Sequence, residues 1–272
     1  MLLLLALACA PATTTGDPAG GDDTAASVGD GDPTLDSGVV QDDAIVDIAV
    51  GHTWACALWS DGTAECEYFD TPTADLVDID GDWGTLCGRT IEGEGACWGD
   101  VSANLGPAVA LAVGSGFVCW QALNGDAVQC EGDIAAPPGH SGLHSLSAGG
   151  GVACAVDEAG AVTCWGDRSF TDGSRWEQVS VGPTGDVCAL RGDGEIRCWG
   201  VAAPESVQGA KRLATGDGWV VAELDDGTAV ALGEAPWTKE VQESIGPVRL
   251  VEASAYFACG VGNEGDPICW GR

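Results

Sequence analysis

The residues best equipped for chemistry in this 272-residue chain are its 13 cysteines. Twelve fall into pairs: Cys56 with Cys66, Cys87 with Cys97, Cys119 with Cys130, Cys154 with Cys164, Cys188 with Cys198, and Cys259 with Cys269. Zinc sites favour cysteines two to four residues apart with further Cys or His nearby, and His52, His140 and His144 complete no such pattern. No metal or other cofactor is therefore expected. A related copy, VAELDDGTAVA, carries Val221 and Ala231 at both cysteine positions. Cysteines lost two at a time are expected to be bonded two at a time, and six disulfides require an oxidising compartment.

Cross-strand bonding needs a tight hairpin between the two cysteines of each pair. The segments supply one. Three-residue loops ending in glycine stand at the centre of six copies: Ser60-Asp61-Gly62, Ile91-Glu92-Gly93, Glu158-Ala159-Gly160, Gly192-Asp193-Gly194, Asp225-Asp226-Gly227 and Asn263-Glu264-Gly265. A type I turn closed by a left-handed glycine places residues ten apart directly opposite each other. In the remaining copy the cysteines are eleven apart and the turn is Asn124-Gly125, a two-residue type I′ signal that again sets Cys119 opposite Cys130. Opposed strand residues lie about 4.5 to 5.5 Å apart at Cα, within reach of a disulfide.

The first cysteine position recurs at 56, 87, 119, 154, 188, 221 and 259, a period of 31 to 38 residues. Such a period marks an array whose units bury apolar surface only against their neighbours. Each copy opens with an alternating β-branched stretch such as Ile45-Val46-Asp47-Ile48-Ala49-Val50, followed by a Gly-containing turn and the hairpin. Helical periodicity is absent, and 42 glycines disfavour helices further. The succession of strand, Gly, Cys-Ala-Leu, Asp-Gly and Cys-Trp-Gly, the last at Cys97-Trp98-Gly99, Cys164-Trp165-Gly166, Cys198-Trp199-Gly200 and Cys269-Trp270-Gly271, resembles the repeats of the regulator of chromosome condensation family. The resemblance implies an all-β, seven-bladed β-propeller over residues 44–272. It departs from the eukaryotic pattern in lacking the longer Gly-Gln-Leu-Gly loop. Short, three-stranded blades are expected, as in the similar secreted β-lactamase inhibitory proteins, each stapled by a disulfide except the sixth. An open β-solenoid is the alternative; a closed ring leaves only short sheet edges.

Cys9 is left over. It follows the apolar run MLLLLALA and precedes a polar tract, which resembles a bacterial lipoprotein signal in residues 1–8 with Cys9 as the acylated first residue. An ordinary cleaved secretory signal is the alternative. In the lipoprotein family Asp after the cysteine retains the protein at the inner membrane, so Ala10 implies delivery to the outer membrane or cell surface. Residues 9–43, rich in Gly, Asp, Thr and Ala, read as an acidic tether.

Charge narrows the function classes. A formal net charge of −32 repels nucleic acid and anionic membranes, so the membrane is expected only through the lipid anchor. The family's chromatin and nucleotide-exchange roles do not carry over. Three histidines form no triad or zinc motif, and no catalytic residue is assigned. Two residues before the first cysteine position the copies carry Trp54, Thr85, Phe117, Val152, Asp186, Trp219 and Phe257. Four aromatics among varied residues suggest a recognition rim of Trp54, Phe117, Trp219 and Phe257, with packing between blades as the competing reading. The tryptophans after the second cysteine read as packing residues. The expected protein is thus an extracytoplasmic, lipid-anchored, monomeric scaffold that binds an unnamed protein partner. Inhibition of a secreted enzyme is the alternative, and a hydrolase ranks below both.

Overall fold

The hairpins follow from their turn chemistry. In the computed structural model, which describes residues 44–69, 75–123, 128–136, 142–200, 207–233 and 242–271, Gly62, Gly93, Gly160, Gly194, Gly227 and Gly265 all take φ between 82° and 91°. Each closes a β-turn through its own amide, as in Gly62 N–H to Trp59 C=O at 2.9 Å and Gly160 N–H to Asp157 C=O at 2.8 Å. An L side chain is disfavoured at such φ, which is why glycine stands there. Asp61, Asp193 and Asp226 tighten these turns by accepting hydrogen bonds from the amides of Thr63, Glu195 and Thr228. The Asn124-Gly125 turn lies outside the described residues.

That geometry delivers the disulfides. All six expected pairs are bonded, with Cα–Cα separations of 4.0 to 4.2 Å, slightly closer than the roughly 4.5 Å usual for opposed strand residues. Val221 and Ala231 occupy the same opposed positions in the sixth copy and are buried. Several disulfides fit an oxidising environment.

Each copy forms a small antiparallel sheet in which an inner strand pairs with the first strand of the hairpin. In the first copy these are Ile45–Val50, Ala55–Trp59 and Ala64–Cys66. No helix is present among the described residues. The expectation of three strands per copy needs correction. The second and fourth copies add short outer strands, Asn104–Leu105 and Phe170–Asp172, and the long strand Gln242–Ala253 pairs with both the sixth copy and the last hairpin, joining them into a 6-stranded sheet. Residues beyond the second cysteine find a ladder partner on the exposed sheet edge, a connection that local periodicity does not report.

Disulfides staple hairpins singly, so cohesion between copies comes from elsewhere. Apolar clusters lie between consecutive copies: Leu58 and Ala64 pack with Leu76 and Leu86, Val152 and Cys164 with Trp176 and Val187, and Leu190 and Ile196 with Leu213 and Val220. Ile45, Ile48 and Val50 of the first copy share a cluster with Phe257, Cys259 and Val261 of the last. A second system runs along the inner strands. Side chains of one copy accept hydrogen bonds from backbone amides of the next: Asp47 from Ile79 at 3.0 Å, Asp80 from Val113 at 2.7 Å, Ser147 from Val181 at 3.0 Å, and Ser180 from Thr215 at 3.0 Å. These acceptors satisfy amides that the inner strands, as sheet edges, would otherwise leave unpaired.

Candidate functional site

The four aromatics expected to form a rim are buried, with exposures of 4% for Trp54, 0% for Phe117, 0% for Trp219 and 5% for Phe257. They are packing residues. Three of the rings fold back over the turn that precedes them: a Cβ on Gly51 would stand 2.1 Å from the Trp54 ring, one on Gly114 2.2 Å from Phe117, and one on Gly216 2.1 Å from Trp219. The spacing Gly-x-x-aromatic before Trp54, Phe117 and Trp219 was visible in the sequence and carries this meaning, because a side chain at those glycines would meet the ring; Phe257 follows Ser254 instead. Trp98, Trp165, Trp199 and Trp270 pack against apolar clusters, in line with expectation.

Apart from Tyr68, which follows the first hairpin, the exposed aromatics stand one and two residues nearer the turn apex. Trp83 is 43% and Tyr256 49% exposed. His52 lies between them, stacked on Trp83 at 4.3 Å between ring centroids with planes 8° apart and meeting Tyr256 edge-on at 5.0 Å. Trp83 and His52 occupy the position four before the first cysteine and Tyr256 the position three before it, where five of the seven copies have glycine. The patch therefore draws on the last, first and second copies.

Trp83 has φ 45°, a left-handed conformation that a bulky residue adopts only when its surroundings impose it. They do so at four points. Its carbonyl accepts hydrogen bonds from the Trp54 indole N–H and the His52 amide, its amide donates to the Asp82 carboxylate at 2.9 Å, and its indole N–H reaches the Pro183 carbonyl at 3.4 Å. Trp54, sequence-selected as a recognition residue, is instead a support for one.

Beneath this turn the inner strands surround a cavity of about 40 Å³ lined by Asp80, Asp82, Glu252, Ser147, Ser180 and Thr215. That is room for a water molecule or so rather than for an organic substrate. Burial, which penalises the charged form, raises the Asp82 carboxyl to about 7 even though the amides of Gly150 and Trp83 hydrogen-bond to it. Burial and the Asp47 charge raise Glu252 to about 8, against the opposing pull of Arg212. Asp47 is raised to about 7 by burial and by the neighbouring Asp78 charge, and Asp80 is pushed well above the carboxylate range by burial and by Glu252. These carboxyls are protonated through much of the range in which surface carboxylates are ionised. No cluster of three or more His, Cys, Asp or Glu side chains suited to a metal ion occurs among the described residues.

His144 is exposed on a far strand, near a broad, shallow depression lined by Glu158, Arg175, Glu177 and Asp193, and does not approach His52. His140 and Cys9 lie outside the described residues, as does the tether.

No family model matches the chain, and no curated protein matches it. Among solved structures, the fold is similar to the CRINKLY WD40 ectodomain of the Arabidopsis thaliana receptor kinase ACR4, at 21% identity and TM-score 0.68 over 84% of this chain and 98% of that one. The ectodomain of the Physcomitrella patens receptor kinase CR4 matches at 21% identity and TM-score 0.69 over 84% and 74% of the two chains. Human WBSCR16 matches at 12% identity and TM-score 0.62 over 79% and 85%. Likeness at this level of identity is likeness of fold: the chain has the propeller-type architecture of small, radially repeated antiparallel sheets.

Proposed function

We propose that the protein is an extracytoplasmic, non-enzymatic protein-binding scaffold, built as a closed seven-bladed propeller of regulator of chromosome condensation-like repeats and held by residues 9–43 on a lipid attached to Cys9. The observation that carries the binding role is the patch of Trp83, His52 and Tyr256, in which a strained backbone holds a large aromatic ring out to solvent. Strain of this kind persists where neighbouring interactions over-determine it, and aromatic anchors of this sort dominate interface energetics. Ring closure is supported by the cluster shared by Ile45, Ile48 and Val50 with Phe257 and Val261. Placement outside the cytoplasm is supported by the six disulfides and by the likeness to two receptor-kinase ectodomains.

The test is affinity capture from native membranes with the full chain as bait, comparing wild type with Trp83→Ala and with Ile91→Ala, which removes an exposed apolar residue from a hairpin turn. A partner lost with Trp83→Ala and kept with Ile91→Ala is the expected result. Identical captured sets for all three baits overturn the patch. Metabolic incorporation of labelled fatty acid into wild type but not Cys9→Ser tests the anchor separately.

A further inference from the structure

We infer that the patch of Trp83, His52 and Tyr256 receives a cationic side chain from a basic polypeptide segment of the partner, an inference that rests on the proposed binding role of this patch. Three features converge. The first is the aromatic face itself: exposed indole and phenol rings attract an ammonium or guanidinium group through their quadrupoles.

The second is a set of exposed carboxylates at equivalent turns, one of them beside the patch. The residue after each Gly that ends a hairpin is Asp in the second, third and fourth copies, and Asp100, Asp133 and Asp167 donate their amides to the carbonyls of the turn glycines Gly84, Gly116 and Gly151 at 3.0, 3.2 and 2.9 Å. Their side chains fill the space beside those glycines: a Cβ on Gly84 would come within 2.4 Å of the Asp100 carboxylate. Asp100 therefore stands next to Trp83. On the other side, the indole N–H of Trp83 touches the Pro183 carbonyl, and the hydroxyl of the following Thr184 lies 3.4 Å from the Asp217 carboxylate. Asp100, Asp133, Asp167 and Asp217 are all exposed. Acid is thus arranged on both flanks of the aromatic face.

The third is the placement of the chain's own cations. Arg89, Arg191, Arg197, Lys211 and Arg212 pair with carboxylates of the strands and hairpins, at Asp78, Asp193, Asp172 and Glu223. Arg168 does reach the same turn region, where it meets Asp186 at 3.5 Å and the Trp199 carbonyl at 3.1 Å. It is held there rather than over Trp83. A cation supplied by a partner meets an aromatic surface, two flanking carboxylates and a strongly negative molecule that steers it inward.

The experiment measures anisotropy of a labelled peptide of alternating arginine and glycine at physiological salt, with the peptide carrying neutral citrulline in place of arginine as reference. The arginine peptide is expected to bind and the citrulline peptide to bind more weakly. Trp83→Ala should weaken the arginine peptide roughly threefold to tenfold, Trp83→Phe less, and Ile91→Ala not at all. Asp100→Asn with Asp217→Asn should weaken it more than Asp61→Asn with Asp226→Asn, a pair on the hairpin turns with the same change in net charge. Equal losses for the two pairs, together with indifference to Trp83→Ala, mean diffuse attraction to an acidic protein and overturn the inference. Trp83-dependent binding of neutral oligosaccharides in place of the peptide overturns it too. Thermal melts confirm that each variant is folded. If membrane capture depends on Trp83 while the arginine peptide does not, the patch stands and the cationic class falls; if neither depends on Trp83, both fall.

Discussion

Replacing Asp82 by Asn should remove a pH-dependent loss of stability and leave a fixed one in its place. Asp82 is 6% exposed, and its oxygens accept hydrogen bonds from Gly150 at 3.0 Å and Trp83 at 2.9 Å. Burial nonetheless raises its carboxyl from 3.8 to about 7. In the unfolded chain this group ionises near pH 4, whereas in the folded protein it holds its proton to about pH 7. Between those values the folded state binds more protons than the unfolded one, so its stability contribution is complete below pH 4, falls as pH rises, and levels off above pH 7. A difference of about three pH units corresponds to about 4 kcal/mol, an upper bound because cavity water and local relaxation soften the penalty. Asn never ionises, but it keeps a single carbonyl oxygen, so one of the two amides loses its acceptor and faces the new NH2, at a cost of about 1 to 3 kcal/mol. Urea unfolding of the oxidised protein should therefore show Asp82→Asn weaker than wild type by about 1 to 3 kcal/mol at pH 5 and gaining on it by about 2 to 3 kcal/mol between pH 5 and pH 8. Wild type itself should lose stability across that interval, since Asp47 and Glu252 shift in the same direction. Parallel pH profiles for variant and wild type would refute the assignment of a buried, protonated Asp82.

Further outcomes follow from the packing. Val221→Cys with Ala231→Cys should form a seventh bridge, because the two face each other in the register of the other six pairs; mass spectrometry of the unreduced protein should find it, with a gain of up to about 3 kcal/mol. Gly81→Ala should cost roughly 2 kcal/mol or more by chemical denaturation, since its Cβ would stand 2.3 Å from the Trp54 ring. Trp54→Ala should lose about 3 to 5 kcal/mol and, by freeing the Trp83 carbonyl, also weaken partner capture, whereas Phe117→Ala should lose stability of similar size without that selective effect.

Residues separated by ten or eleven positions were legible because one turn determines how they meet. The glycine at the end of each three-residue loop dictates the hairpin, the hairpin dictates the register, and the register puts Cys154 against Cys164 without help from the rest of the molecule. The site was harder. Position two before the cysteine showed variation and aromatic enrichment, which are properties of a recognition rim and also of a core that packs differently in each copy. Trp54 falls in the second class because its ring lies over Gly51 of its own turn and Gly81 of the next copy, a contact across 27 residues. Trp83, by contrast, stood in the sequence as an ordinary residue after Asp82.

What the sequence by itself determined is therefore local: strand, turn, cysteine pairing, and the repeat that demands neighbouring copies to bury each face. Tertiary structure alone decided which aromatic faces solvent and which carboxyls of the first strands burial pushes above their ordinary range. Both depend on groups brought together from different copies, Gly150 and Pro183 against the turn at Asp82 and Trp83, and Asp47 against Glu252. Burial and electrostatics are sums over such neighbours, and no span of sequence short enough to read as a motif contains them.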